Sequence, residues 1–186
     1  MELMEAIEKR RSVRAYKPDN VEREKIEKLI HAAVMAPTGM NAQPWAFGVI
    51  QDTAMLADLN ARTKAFLVSK ADEWPWLDRY LEHFKDPEHS VFYGAPALVT
   101  IYAKNDSPIA QIDCCLAAEN LMLATTDLGL GTCWMGFVGF ILNTPEANKE
   151  LGVPEGYKAV APIAVGYPAA EMPLPERNEP EIIYRG

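Results

Sequence analysis

The run from Ile109 to Leu130 constrains the fold of this chain more than any other segment. It is the longest apolar stretch in the sequence, yet Asp113, Glu119, Asn120 and Asp127 interrupt it. Such groups are too costly for a bilayer interior, so the run reads as a core helix rather than a membrane span. Ser107-Pro108 opens it with proline at the first helical position, and Gly129 stands past its end. Apolar residues on nearly every face predict burial all round. Cys114 and Cys115, inside the run, are read as small core-packing thiols. A helix buried on all sides needs partners on all sides. At 186 residues the chain is long enough to supply them within one domain, taken as 1–186.

Those partners follow from local patterning. Leu3, Ala6 and Ile7 predict a short amphipathic helix ending near Arg10. Asp19-Asn20-Val21-Glu22 resembles a helix cap, and Ile26, Leu29, Ile30 and Ala33 recur at helical spacing behind it until Pro37 and Gly39. Trp45–Ile50 and the β-branched run Ala97–Ala103 predict strands, as does Lys158–Val165. Residues 53–67 and Pro145–Leu151 predict helices, and Gly131–Phe137 a glycine-rich extended segment. Between 68 and 92, Trp74, Trp76, Tyr80 and Phe84 form an aromatic stripe broken by Pro75 and ended by Pro87. From Tyr167 onward the chain is proline-rich and lacks periodicity, so it cannot fold on itself. Its apolar Ile182-Ile183-Tyr184 nevertheless calls for something to pair with.

Charge limits the partners. With 18 basic and 26 acidic residues the net charge is −8, which disfavours nucleic acid and anionic membranes. The N-terminal residues are interrupted by acids and do not form a secretory signal, so a cytoplasmic protein is expected. The three cysteines and three histidines show no metal-ligand spacing, and no metal site is expected. One feature runs against the acidic balance: Lys9, Arg10, Arg11, Arg14 and Lys17 crowd together with Ser12 among them. Cations after a helix C-terminus often do no more than offset its dipole. Forked guanidinium groups beside a hydroxyl also suit a phosphate, each charge-assisted bond being worth about 1.5–3 kcal/mol. No G-x-G-x-x-G or Walker loop accompanies them, which argues against a doubly wound dinucleotide fold.

Four blocks, in order, resemble the FMN-dependent nitroreductases. They are Arg10-Arg11-Ser12-Val13-Arg14; Ala36-Pro37-Thr38-Gly39-Met40-Asn41-Ala42-Gln43-Pro44-Trp45; Gly129 to Phe137; and Ala161 to Pro168, followed by Arg177. Thr38 stands where the family usually has serine, which keeps a hydroxyl. The resemblance implies an α+β fold, a mainly antiparallel sheet flanked by helices, with the C-terminal tail exchanged in a homodimer. It implies FMN at the subunit seam, reduced by NADH or NADPH. Arg10, Arg11, Ser12 and Arg14 would meet the phosphate, ribityl chain and pyrimidine edge, with Arg177 returning from the tail. Pro37, Thr38, Gly39 and Asn41 would reach the same flavin from the other subunit. Backbone groups of Trp134, Met135 and Gly136 would lie near the flavin N5.

The activity implied is ping-pong hydride transfer to nitroaromatics, quinones or similar acceptors, with no catalytic side chain. A dehalogenase or ene-reductase of the same fold, and a non-catalytic FMN-binding module, are the alternatives. Trp74, Trp76, Tyr80 and Phe84 suit either a substrate lid or core packing, the latter being commoner for an apolar stripe. Asn60 and Lys64 are further candidates for the flavin pyrimidine.

Overall fold

The computed structural model describes residues 2–186. Four strands form one antiparallel sheet in the order β1-β2-β4-β3: β1 is Trp45–Ile50, β2 Ala97–Ala103, β3 Gly131–Trp134 and β4 Lys158–Gly166. β2 pairs with β1 from Trp45↔Ala103 to Ile50↔Leu98, and β3 with β4 from Gly131↔Gly166 to Trp134↔Ile163. The β2–β4 register shifts between Ile101 and Tyr102. Pro162, two residues away in the paired β4 segment, has no N–H to give the ladder, and bulges gather at such places.

Every residue of β2 is buried, because helices cover both faces of the sheet. Val99, Ile101, Ile163 and Val165 face one core with α2 (Arg23–Val34) and α5 (Pro108–Asp127). Leu98, Tyr102 and Ala164 face the other, against α3 (Thr53–Ser69) and α6 (Val138–Leu142). The period-2 alternation of a strand thus feeds two separate cores. The remaining helices are α1 (Leu3–Lys9), α4 (Leu81–Lys85) and α7 (Pro145–Glu150). This is the α+β architecture expected from the sequence.

Several local expectations are corrected. α2 starts at Arg23 with Glu22 as a cap whose side chain caps nothing; the Glu22 carboxylate instead accepts from Tyr167 Oη at 2.6 Å. α2 already ends at Val34, ahead of Pro37 and Gly39. Pro75 does not break a helix but begins a 3₁₀ turn, Pro75–Tyr80, that leads into α4. The segment from Gly131 is strand only as far as Trp134, then turns into α6. α5 has the predicted bounds and the Ser107 cap, whose Oγ accepts from the Ile109 N–H, but it is not buried all round. Ile109, Ile112, Cys115 and Leu116 lie on an exposed face, so Cys115 is not a core thiol. Ile182, Ile183 and Tyr184 are likewise exposed in the single chain.

No helix among the described residues is long and apolar enough to cross a membrane.

Candidate functional site

The arginine segment is fixed as an irregular edge beside β3. Val13 N–H donates to Thr132 O at 2.9 Å, Lys17 N–H to Tyr167 O at 2.8 Å, and Ala169 N–H to Ala15 O at 2.9 Å. Ser12 bridges Thr132 in parallel and Tyr16 bridges Pro168 antiparallel. Gly131 makes this approach possible, since a Cβ there would run into the Val13 side chain and come within 3.0 Å of Pro168 Cγ.

Two hollows flank this edge, one toward each end of β3. The first, about 650 Å³, is lined by Lys9, Arg10, Arg11 and Lys17, with Gly131 in its wall. Arg10 Nε lies 3.5 Å from Glu119 Oε1. Arg11 donates to the carbonyls of Glu8 and Arg10, so part of its charge closes the C-terminus of α1. The Nε of Arg11 is buried without a hydrogen-bond partner, and that of Arg10 has only the long contact to Glu119. Guanidinium and ammonium groups gathered along one groove of an acidic protein have the chemistry to suit an anion.

The second hollow, about 480 Å³, holds Arg14, Trp134, Met135 and Gly136 together, under Trp76 and Tyr80. Arg14 is its one charged lining residue. Met135 N–H is already donated to Pro162 O at 2.7 Å and cannot serve a ligand. Gly136 is exposed, with open space where a Cβ would stand, and its N–H has no protein acceptor among the described residues. Of the three backbone positions expected near a flavin, Met135 is committed to the sheet and Gly136 is free to donate. Behind the wall, burial pushes the Cys133 thiol up and Arg14 opposes it. Burial likewise drives the Tyr16 hydroxyl far above its ordinary value, Cys133 adding to the rise and Arg14 countering it. That hydroxyl has no partner among the described residues.

The loop of the second block lies elsewhere, against the N-terminal half of α5. Gly39 N–H faces both carboxylate oxygens of buried Asp113, at 3.2 and 3.3 Å. Thr38 Oγ1 accepts from Gln43 N–H, and Asn41 Oδ1 from Gln43 Nε2. Met40, Asn41 and Gln43 all adopt positive φ, at 51°, 55° and 48°. Left-handed non-glycine residues so close together store strain that persists only when surroundings enforce it, and such strain clusters at functional sites. Pro37, Gly39, Met40 and Asn41 are exposed, next to the apolar face of α5.

Within one chain, therefore, the expected residues do not meet. Arg14 joins Trp134 to Gly136, Arg10 and Arg11 line the adjoining groove, and Ser12 is held in the edge between. The Pro37–Asn41 loop borders neither hollow, and Arg177 sits in the exposed tail away from both. Asn60 and Lys64 have other work. Asn60 Oδ1 accepts from Val91 N–H at 2.8 Å, and Lys64 Nζ donates to the carbonyls of Asp86 and His89. They pin the segment that carries Val91 and Tyr93 into the second hollow. Asp113 was visible in the sequence only as a polar break in an apolar helix; the signal for its role is that a buried carboxylate must find a donor. Among the described residues no cluster could hold a metal ion.

The profile of the Nitroreductase family matches residues 7–167. A nitroreductase of Bacteroides fragilis, solved with bound FMN, is 32% identical and superposes with a TM-score of 0.83 over 100% of this chain and 98% of its own. An Archaeoglobus fulgidus protein provisionally named an NADH dehydrogenase/NAD(P)H nitroreductase is 29% identical across 99% of this chain and 97% of that one. The iodotyrosine deiodinase of Thermotoga neapolitana is 27% identical across 98% and 97%. Fold, ordered blocks and profile agree: the chain belongs to the nitroreductase family.

Proposed function

We propose that this chain is an FMN-dependent oxidoreductase that takes electrons from NADH or NADPH and delivers them to nitroaromatics, quinones or related acceptors in a ping-pong cycle. The observation that carries the proposal is the Arg14 hollow, open at Gly136 and adjoining a groove lined by Lys9, Arg10, Arg11 and Lys17. The residues fit FMN. Arg10 and Arg11 would hold its phosphate, with Ser12 toward the ribityl chain and Arg14 at the pyrimidine edge. The chemistry that FMN supplies when bound is reversible two-electron transfer.

The chain's own residues do the rest. Arg14 places positive charge where reduction deposits negative charge. Gly136 offers an N–H without a side chain to block close approach. Trp76 and Tyr80 add aromatic surface to the wall of the recess.

The site is completed by a second copy of the chain. Ile109, Ile112 and Leu116 are 61%, 59% and 42% exposed beside the strained loop, an apolar face that a homodimer would cover. Burying it would carry Pro37, Thr38, Gly39 and Asn41 to the partner's Arg14 hollow. The tail beyond Pro168, with Arg177 and Ile182-Ile183-Tyr184, would cross in the same way.

Reductive dehalogenation is the second reading, favoured by the likeness to a deiodinase. The test is to add FMN to purified protein and reduce it anaerobically with each nicotinamide. A yellow dimer bleached by NADH or NADPH and reoxidised by a quinone is the expected result. Protein that stays colourless with FMN, or yellow protein that neither nicotinamide reduces, overturns the proposal.

A further inference from the structure

Arg10 closes the C-terminus of α1, where its N–H donates to Ala6 O at 2.9 Å. The backbone is thereby fixed, but a long arginine side chain keeps many rotamers. α5 limits them. Glu119 Oε1 lies 3.5 Å from Arg10 Nε, across the contact between α1 and α5. That Nε is buried, and no other group among the described residues partners the Arg10 side chain.

Which nitrogen the carboxylate meets decides what remains. A guanidinium carries five N–H donors, one on Nε and four on the two Nη nitrogens. Contact at Nε takes the single donor at the root of the fork and leaves both Nη nitrogens unclaimed beside the 650 Å³ groove that Arg10 lines. Those two nitrogens can give a phosphate a pair of parallel hydrogen bonds. Arg11 is used the opposite way, since its Nη1 donates to the carbonyls of Glu8 and Arg10. Of the two arginines, Arg10 is the one whose fork is intact.

The place of Glu119 on α5 is also telling. Ile112, Leu116 and Glu119 follow one another at helical spacing, so Glu119 ends the exposed apolar face of that helix. Six residues earlier, Asp113 holds Gly39 N–H. One helix thus carries a carboxylate toward each half of the divided site, about 9 Å apart along its axis. A carboxylate in the groove itself would oppose a phosphate. Glu119 stands behind Arg10 and does not line the groove.

We propose that Glu119 is a positioning residue: it holds Arg10 by Nε so that the two Nη nitrogens face the phosphate of the flavin nucleotide. This rests on the flavin-reductase reading above and deepens its account of the arginine groove. Glu119 itself touches no ligand. Its loss weakens a phosphorylated flavin and leaves an unphosphorylated one alone.

The test titrates FMN and riboflavin into flavin-free, full-length protein. The two ligands share one ring and differ in the phosphate, so the ratio of riboflavin Kd to FMN Kd isolates phosphate recognition. In the wild type this ratio is expected to be about 100 or more, the equivalent of two or three charge-assisted contacts. Glu119→Ala is expected to lower it about 3- to 10-fold, between the effect of an exposed ion pair and that of a charge-assisted hydrogen bond. Riboflavin affinity should not change. Glu119→Gln keeps an acceptor oxygen and should hold the ratio within about twofold. In an Arg10→Ala background, Glu119→Ala should have no further effect. The Glu119 side chain is 44% exposed in a helix, where alanine is well tolerated.

A ratio that stays the same or rises in Glu119→Ala overturns the proposal, because the carboxylate then does nothing for Arg10 or merely opposes the phosphate. An equal loss of both flavins, or the same drop without Arg10, overturns it too, since Glu119 would then act through the fold at large. All of these results leave the flavin-reductase reading intact. Wild-type protein that binds neither flavin overturns both.

Discussion

Gly39 N–H is shared between the two carboxylate oxygens of Asp113, at 3.2 and 3.3 Å. This one contact ties the signature loop to the longest helix of the fold. Asp113 is 4% exposed in an otherwise apolar stretch of α5. Gly39 also brings the loop close, because a Cβ there would stand 3.0 Å from Ile109 Cγ2. The loop beyond it is strained at Met40, Asn41 and Gln43, so its shape depends on what anchors it.

Asp113→Ala is accordingly expected to cost about 1–3 kcal/mol of stability, the range for removing a buried hydrogen-bond acceptor. FMN affinity should fall with it by about tenfold or more, since a loop freed from its anchor no longer presents Thr38 and Asn41 in one geometry. Asp113→Asn keeps an acceptor oxygen and should stay within about threefold of wild type, the small end of the same hydrogen-bond scale. Denaturant titration and flavin titration measure the two effects. Wild-type flavin affinity in Asp113→Ala would show that the loop is not part of the site.

Gly131 governs the other half. A methyl group there collides with Val13 and approaches Pro168, so Gly131→Ala must push the Arg10–Arg14 edge away from β3. Overpacking of this kind costs about 1–3 kcal/mol. Flavin binding should weaken more than stability alone predicts, because Arg10, Ser12 and Arg14 move together. Gly139→Ala, with open space at its Cβ position, is the control. Equal flavin affinity in the two variants would contradict the placement of the arginine edge.

Acid should loosen the segment that carries Val91 and Tyr93 into the Arg14 hollow. His89 is held below the ordinary imidazole range, first by burial and then by His83 and Lys64, with Asp86 opposing. The His83 and His89 rings are 5.2 Å apart, and His89 meets Tyr93 edge-on at 6.2 Å. A histidine whose pKa is depressed on folding binds fewer protons folded than unfolded. Its neutral form therefore adds stability above the unfolded value of about 6.5, and that stability is lost as pH falls through the folded value. The Tm of His89→Gln minus that of wild type should be more positive at pH 5 than at pH 8. A difference independent of pH would show that His89 does not titrate against the fold.

Much of this was legible in sequence, for identifiable reasons. β2 was read at its observed bounds because a β-branched and aromatic run between polar turns has few alternatives. Pro108 and Gly129 bracketed α5 by removing a donor at one end and allowing positive φ, 68°, past the other. The faces of α5 were misread because an apolar stripe looks the same whether it packs on its own sheet or stands exposed, as Ile109, Ile112 and Leu116 do. Pro75 was read as an interruption because proline ends one helix as readily as it starts another. The anchoring roles of Asp113, Asn60 and Lys64 depend on backbone groups far away in the chain, and no local pattern encodes them.

The shared site is tested most directly by complementation. One variant, Arg10→Ala/Arg14→Ala, breaks the arginine edge; another, Asp113→Ala/Asn41→Ala, breaks the loop. Each alone should purify without flavin. Co-expressed with different tags and isolated as the mixed dimer, they should bind one FMN per two chains, because one of the two seams then has an intact edge facing an intact loop. A mixed dimer that binds no FMN would contradict the account, since a site built within a single chain is broken in both.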